Sequence, residues 1–281
     1  MRFTAEQIEA YNTWGYVVIE CPFRSDLTER CLEAVDKVAI DPALNTTDGK
    51  RNHYRLKPQV PASYWCELDH SLSFLQIELH AEIVELARQL AGDGDIYFRN
   101  GGINELAPGR SFLWHRDSEL DYVEFMHYFS GAGVESGCLR VIPGSHVGAA
   151  DELRAEVEKL RRERGYAQEY RGDERADVEL PDEVSLQIEP GYMIVRSSRI
   201  FHATWINNST AGRLMHHWLF RESDSGNHRF HFEDYLTADL VDALTPEQRD
   251  VLWLGRDFDL DPAWEKERER ERGCVSWGVI V

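Results

Sequence analysis

No run of about 18 apolar residues occurs in this 281-residue chain, so nothing in it reads as a membrane-spanning helix. Basic residues are few beside acidic ones, 31 against 50, for a formal charge of −19. Nucleic acids and anionic membranes are bound through basic patches, so neither is an expected partner. A heavily anionic coenzyme A ester is disfavoured for the same reason. The five cysteines (Cys21, Cys31, Cys66, Cys138, Cys274) are odd in number, irregularly spaced and form no C-x-x-C pair. That argues against a disulfide framework and a thiolate zinc site, and for free thiols in a reducing compartment. There is no H-E-x-x-H helix of a zinc hydrolase, and no internal repeat. The opening M-R-F-T-A-E-Q reads as the start of a helix rather than a leader, and the expected location is the cytoplasm.

A hydrophobic content of 42% is enough for a real core. Thr4 and Gln7 form a capping box, Ile8, Tyr11 and Trp14 share one helical face, and Gly15 ends the helix. Tyr16 to Ile19 reads as a strand. A second helix begins near Asp26, with Leu27, Cys31, Val35 and Val38 at helical spacing. Residues 41–66, broken by D-P, D-G, K-P and V-P steps, read as a long loop, either solvated or a lid. Residues 71–90 carry the apolar stripe of a third helix. Short strands follow at 96–106, 111–115 and 122–129. On the last, Tyr122, Glu124, Met126 and Tyr128 share one face and Val123, Phe125, His127 and Phe129 the other. Both faces are mostly apolar, which predicts a strand buried on both sides. Glu124 then needs a partner there, a salt bridge or a ligand.

Residues 148–184 hold a charged helix and a polar stretch, and read as an insertion, either a solvated surface feature or a cap over the entrance. Strands resume at Ser185–Ile188 and Tyr192–Arg196. On Arg213–Phe220 the alternation puts Arg213, Met215 and His217 on one face and His216 on the other. Thr245 and Pro246 open another helix, residues 264–273 read as a charged helix, and an apolar end follows. That end suits a docked strand or a homo-oligomer contact.

Three short motifs carry the chemistry. W-H-R-D spans 114–117, F-H-A-T spans 201–204 and G-R-L spans 212–214. His115, Asp117 and His202 are two imidazoles and one carboxylate, the ligand set of a mononuclear non-haem Fe(II) site with open positions. The H-x-D spacing suits a strand end, where residues i and i+2 point the same way. Arg213 has no lone pair to offer a metal, but its planar fork suits a carboxylate. Together they predict an enzyme using Fe(II), a 2-oxo dicarboxylate and O2.

Residues 137–146 read G-C-L-R-V-I-P-G-S-H. With the H-x-D before it, and with a distal His followed eleven positions on by Arg, the chain resembles the phytanoyl-CoA dioxygenase family of Fe(II)/2-oxoglutarate oxygenases over roughly residues 1–235. The resemblance implies a mainly β fold with flanking helices, built on a double-stranded β-helix (jelly-roll) core. It implies a single domain over 1–281, with the insertion at 148–184 and a C-terminal helical extension at 236–281. By the same resemblance His115, Asp117 and His202 ligate iron, and Arg213 holds 2-oxoglutarate, aided by Thr204, Asn104 and Phe112. Asn100 faces co-substrate or substrate, and Glu124, Met215 and His217 fall toward the substrate side. The implied reaction is hydroxylation coupled to conversion of 2-oxoglutarate to succinate and CO2, with desaturation, epimerisation or cyclisation as variants. Halogenation needs a small residue in place of Asp117. A non-catalytic jelly-roll binding protein and a hydrolytic zinc enzyme are the readings from other classes.

Overall fold

The computed structural model describes residues 2–40, 68–91, 95–166, 175–222 and 238–259, with Phe232 and Leu236. The expected 41–66 loop, the charged helix at 264–273 and the apolar end lie outside the described residues.

Local sequence explains the entry into the fold. Helix α1 (Ala5–Trp14) starts at Thr4, whose side chain accepts from the Gln7 amide while the Gln7 side chain returns the bond. It stops at Gly15, which takes a left-handed φ of 81°. Strand β1 (Tyr16–Glu20) follows, then helix α2 (Ser25–Ile40). Of the face assigned to α1, Tyr11 is buried, but Trp14 is 51% exposed. Trp14 sits in the last turn, where the chain already bends toward β1, so its ring leaves the core.

The stripe at 71–90 forms two helices, α3 (Leu68–Glu78) and α4 (Ala81–Ala91), rather than one. The break is at Leu79 and His80. The His80 amide bonds back only three residues, to Ile77, and the His80 ring accepts from the Glu82 amide at 3.4 Å. That is a side-chain cap in the middle of an unbroken apolar period, which periodicity does not register.

The remaining strands are β2 (Ile96–Leu106), β3 (Val123–Tyr128), β4 (Leu139–Val141), β5 (Val184–Leu186), β6 (Tyr192–Ser197), β7 (His202–Thr204) and β8 (Arg213–Glu222). They form two antiparallel sheets, a large one in the order β1-β6-β3-β8-β2 and a small one in the order β5-β4-β7. Helix α5 (Asp151–Glu163) falls between β4 and β5, and the short helices α6 (Ala238–Ala243) and α7 (Pro246–Val251) follow β8. The expected strand at 111–115 is present only as an isolated bridge, His115 with His202, beside β7. Its other edge is taken by a side chain instead of a neighbouring strand, so it lacks a second ladder.

Alternation on β3 sorts two cores. Val123, Phe125 and Phe129 join Phe74, Ile83, Trp218 and Phe220 between the large sheet and the helices. Met126 and Tyr128 join Leu139, Leu186, Ile194 and Met215 between the two sheets. Each large apolar side chain so buried contributes about 1.5–3 kcal/mol. The large sheet thus has a structural back and an inner face toward the small sheet, and the inner face carries the chemistry. No helix among the described residues is long and apolar enough to cross a membrane.

Candidate metal centre and co-substrate pocket

His115 and His202 exchange both backbone hydrogen bonds, N–H to O at 2.9 Å in each direction. Residues paired in this way project to the same side. Their rings lie 4.2 Å apart between centroids, inclined at 50°. Asp117, two residues on, turns back toward them. Its Oδ1 is 3.2 Å from His115 Nε2, and its Oδ2 is 3.6 Å from His202 Nε2. One donor atom from each of the three residues lies within 4.8 Å of the others, an arrangement that could hold a metal ion.

The tautomers are preset by the backbone. His115 Nδ1 sits 2.6 Å from the Leu113 carbonyl, and His202 Nδ1 sits 3.0 Å from that of Ile200. Each Nδ1 therefore carries hydrogen, and each Nε2 turns a lone pair into the shared space, as metal ligation requires. The Arg196 guanidinium also approaches His202 Nδ1, at 3.3 Å. Arginine can only donate, so the shorter Ile200 contact decides the tautomer.

Arg196, on β6, was not singled out by its sequence. It is 2% exposed, donates to Asp117 Oδ2 at 2.5 Å and pairs with Glu124. Glu124 also receives His217 Nδ1 at 3.1 Å. The partner that Glu124 needs is thus Arg196, one strand over in direct register. A signal existed: an arginine continuing the apolar run Met193–Val195 implies a buried counter-charge. Burial works against the charge of Asp117, but Arg196 and the two histidines outweigh it and hold the carboxyl well below the usual carboxylate range. Burial, reinforced by Arg196, pushes His202 well below the ordinary imidazole value, so it is neutral. His115 is raised, the contact with Asp117 outweighing burial.

Arg213 enters the inner face from the start of β8. It is 5% exposed and donates to the Gly137 carbonyl. Its guanidinium carbon lies 4.9 Å from the centre of the Tyr128 ring. Its Nε has no hydrogen-bond partner, nor has the buried Tyr128 hydroxyl, and among the described residues Arg213 pairs with no carboxylate. Burial lowers its pKa from the ordinary value, opposed by Tyr128 and Cys138. A buried guanidinium without an anion is costly, and a bound carboxylate would satisfy it. Gly137 is required here: its φ is 79°, and a side chain would collide with Leu106 and the backbone of Trp205.

The other predicted residues distribute as follows. The Thr204 hydroxyl accepts from the Phe112 amide at 2.7 Å, and its own amide donates to the Phe112 carbonyl at 3.0 Å. Asn104 pairs with Met215 across β2 and β8, and Met215 pairs with Tyr128 across β8 and β3. His217 is partly open, at 21% exposure. Asn100 lies opposite Leu219, past an irregularity after Phe98, and its side chain lies outside what is described. The rest of the G-C-L-x-x-x-P-G-S-H stretch is scaffolding. The Ser145 carbonyl accepts from Arg116 at 2.6 Å, its hydroxyl accepts from the Phe201 amide at 2.8 Å, and His146 reaches the Asn12 carbonyl at 3.1 Å. The turn thereby ties helix α1 to both histidine-bearing segments.

Two facing antiparallel sheets with two histidines and a carboxylate between them define a jelly-roll protein equipped for a metal. The sequence profile of the phytanoyl-CoA dioxygenase family matches residues 11–215, and the chain belongs to that family. Ectoine dioxygenase from Sphingopyxis alaskensis is 28% identical over 160 residues, covering 51% of this chain and 50% of that protein. The match thus spans about half the length of that relative. Among solved structures, HygX from Streptomyces hygroscopicus with nickel and 2-oxoglutarate bound superposes with a TM-score of 0.62 at 18% identity, over 85% of this chain and 94% of that one. SnoN, a non-haem α-ketoglutarate-dependent epimerase from nogalamycin biosynthesis, gives 0.56 at 15% identity, over 78% and 82%. These two likenesses establish the shared jelly-roll fold.

Proposed function

We propose that this chain is an Fe(II)- and 2-oxoglutarate-dependent dioxygenase that hydroxylates an unactivated C–H bond of a small metabolite or natural-product intermediate. One oxygen atom of O2 enters the product, the other enters succinate, and 2-oxoglutarate loses CO2. The observation that carries the reading is the pairing of two features on the inner side of the large sheet: three convergent ligand atoms, and a buried arginine that meets no carboxylate among the described residues. His115, Asp117 and His202 would hold the iron, which supplies the O2 activation that no side chain can. Arg213 would grip the far carboxylate of 2-oxoglutarate, with the orphaned Tyr128 hydroxyl, Thr204, Asn104 and the Phe112 ring around it. Arg196 orients Asp117 and balances Glu124. On the substrate side the proposal places Asn100, Glu124, Met215 and His217. The chain is read as one domain, with the 148–184 segment inserted and 236–281 appended, and as a cytoplasmic protein able to self-associate through its C-terminal segment.

A second outcome of the same machinery is desaturation, epimerisation or cyclisation, since SnoN, an epimerase, has this fold. A binding protein without catalysis would not need both the metal cluster and the co-substrate arginine. The test is conversion of 2-oxoglutarate to succinate by purified protein with Fe(II) and O2, across a panel of small-molecule candidates. Succinate formation that His202→Ala abolishes is expected. Turnover by His202→Ala at the parent rate contradicts the assignment.

A further inference from the structure

Among the described residues the segment before the first histidine has no strand on its outer edge, and a carboxylate meets its Trp114 amide there. Asp177, on the loop after helix α5, is 3% exposed, and its Oδ2 accepts from the Trp114 amide at 3.0 Å. Arg161 on α5 grips both oxygens of Asp177, at 3.0 and 2.5 Å. The next residue repeats the pattern. The Val178 carbonyl accepts from the Trp114 indole at 2.7 Å and from Arg140 at 3.0 Å. Arg140 is fully buried, its guanidinium lies over both Trp114 and Trp205, and Glu183 takes two of its nitrogens. Upstream, the Ser111 hydroxyl donates to the Arg175 carbonyl at 2.7 Å.

Trp114 immediately precedes His115, and Phe201 immediately precedes His202. Strand alternation puts their rings on the face opposite the imidazoles. There they stack at 5.6 Å with an interplanar angle of 6°, and the insertion covers them with Val157, Val178 and Leu180. A shift of Trp114 along its strand would carry the His115 imidazole with it.

We infer that the insertion is a strut for the metal centre, and that Asp177, clamped by Arg161, is a positioning residue that fixes the H-x-D segment by standing in for a missing strand. This rests on reading His115, Asp117 and His202 as the metal ligands. It assigns the described part of residues 148–184 to the back of the small sheet, where it sets the geometry of the ligands.

The test uses the full chain and the dissociation constant for Co(II), measured anaerobically by calorimetry, beside the melting temperature of the metal-free protein. Asp177→Ala removes the acceptor and is expected to weaken Co(II) binding tenfold or more, the usual scale for losing support behind metal ligands. Asp177→Asn keeps an oxygen for the Trp114 amide and is expected to recover most of that loss. Val157→Ala loosens the same packing without touching the carboxylate, and is expected to lower the melting temperature while leaving Co(II) affinity unchanged. Should Asp177→Ala not fold, Arg161→Gln replaces it, with weakening in the same direction expected. Parent-like affinity in Asp177→Ala (or in Arg161→Gln where that stands in) overturns the strut, and an equal loss in Val157→Ala overturns the positioning role given to Asp177. A parent protein that binds no Co(II) overturns the ligand reading itself.

Discussion

At the scale of single residues, two buried arginines have their charges met differently. Among the described residues Arg213 is buried without a carboxylate, and Arg196 is buried between two. The first is poised for an anion that arrives, and the second is already neutralised. Hydrogen bonds to charged groups contribute about 1.5–3 kcal/mol each, and about 1.4 kcal/mol is a tenfold change in affinity. Arg213→Leu is therefore expected to raise the KM for 2-oxoglutarate at least tenfold while the metal still binds; steady-state kinetics at saturating Fe(II) measure it, and an unchanged KM removes Arg213 from the co-substrate site. Arg196→Leu is expected to act on folding as well, because it strands Glu124 with only His217. Breaking a buried pair costs about 3–5 kcal/mol, and urea denaturation should show a loss of that order. A midpoint within error of the parent would mean that Glu124 finds compensation elsewhere. The cysteines fit the same logic: burial raises the thiols of Cys21 to about 12 and Cys138 to about 11, so neither is a nucleophile at neutral pH.

At the scale of elements, β8 is the informative strand, because its two faces do different work. Arg213, Met215 and His217 face the small sheet, while His216 faces the helices and receives Glu78 at 2.9 Å. Strand alternation was legible in the sequence and sorted these residues correctly, as it did on β3. Pairing across the sheet was not legible: nothing local to Glu124 names Arg196, and nothing local to Trp114 names Asp177. The break between α3 and α4 was hidden too, since apolar period 3.6 continues through His80. The back face carries a prediction of its own. Burial raises Glu78 well above the ordinary carboxylate value, so it keeps its proton when folded. Burial lowers His216 and His127 to about 3, so both stay neutral. For a depressed histidine, the stability is present above about pH 6.5 and is lost as pH falls toward 3; for a raised glutamate, it is present below about pH 4.5 and is lost as pH rises above that. Two opposed effects therefore shape the melting curve. Glu78→Gln stays neutral at every pH, so its melting temperature relative to the parent should increase from pH 5 to pH 8. His127→Leu should flatten the decline below pH 6.5. Parallel pH profiles for variants and parent would contradict the buried, neutral assignments.

At the scale of the whole molecule, the jelly roll was readable through the family resemblance that the H-x-D, G-C-L-x-x-x-P-G-S-H and distal His-to-Arg motifs carry together, while spacing alone spoke only for a strand end. H-x-D needs only period-2 alternation, and the glycine of G-C-L is forced by a close approach at positive φ. The substrate was not readable, because the inner face that would meet it mixes Glu124, Met215 and His217 without a pattern that names a ligand. Family membership fixes the fold, and on the proposed function the carboxylate of Asp117 narrows the chemistry further. If Asp117 ligates the iron as proposed, no ligand position is left for halide, so product mixtures formed in chloride or bromide should contain oxidised or rearranged substrate and no halogen isotope pattern by mass spectrometry. The most direct test of the central claim is metal stoichiometry. Equilibrium dialysis of the parent against Fe(II) under anaerobic conditions should give one tightly held ion per chain, and His115→Ala, Asp117→Ala and His202→Ala should each lose it. An ion retained by all three variants, or none held by the parent, would contradict the account.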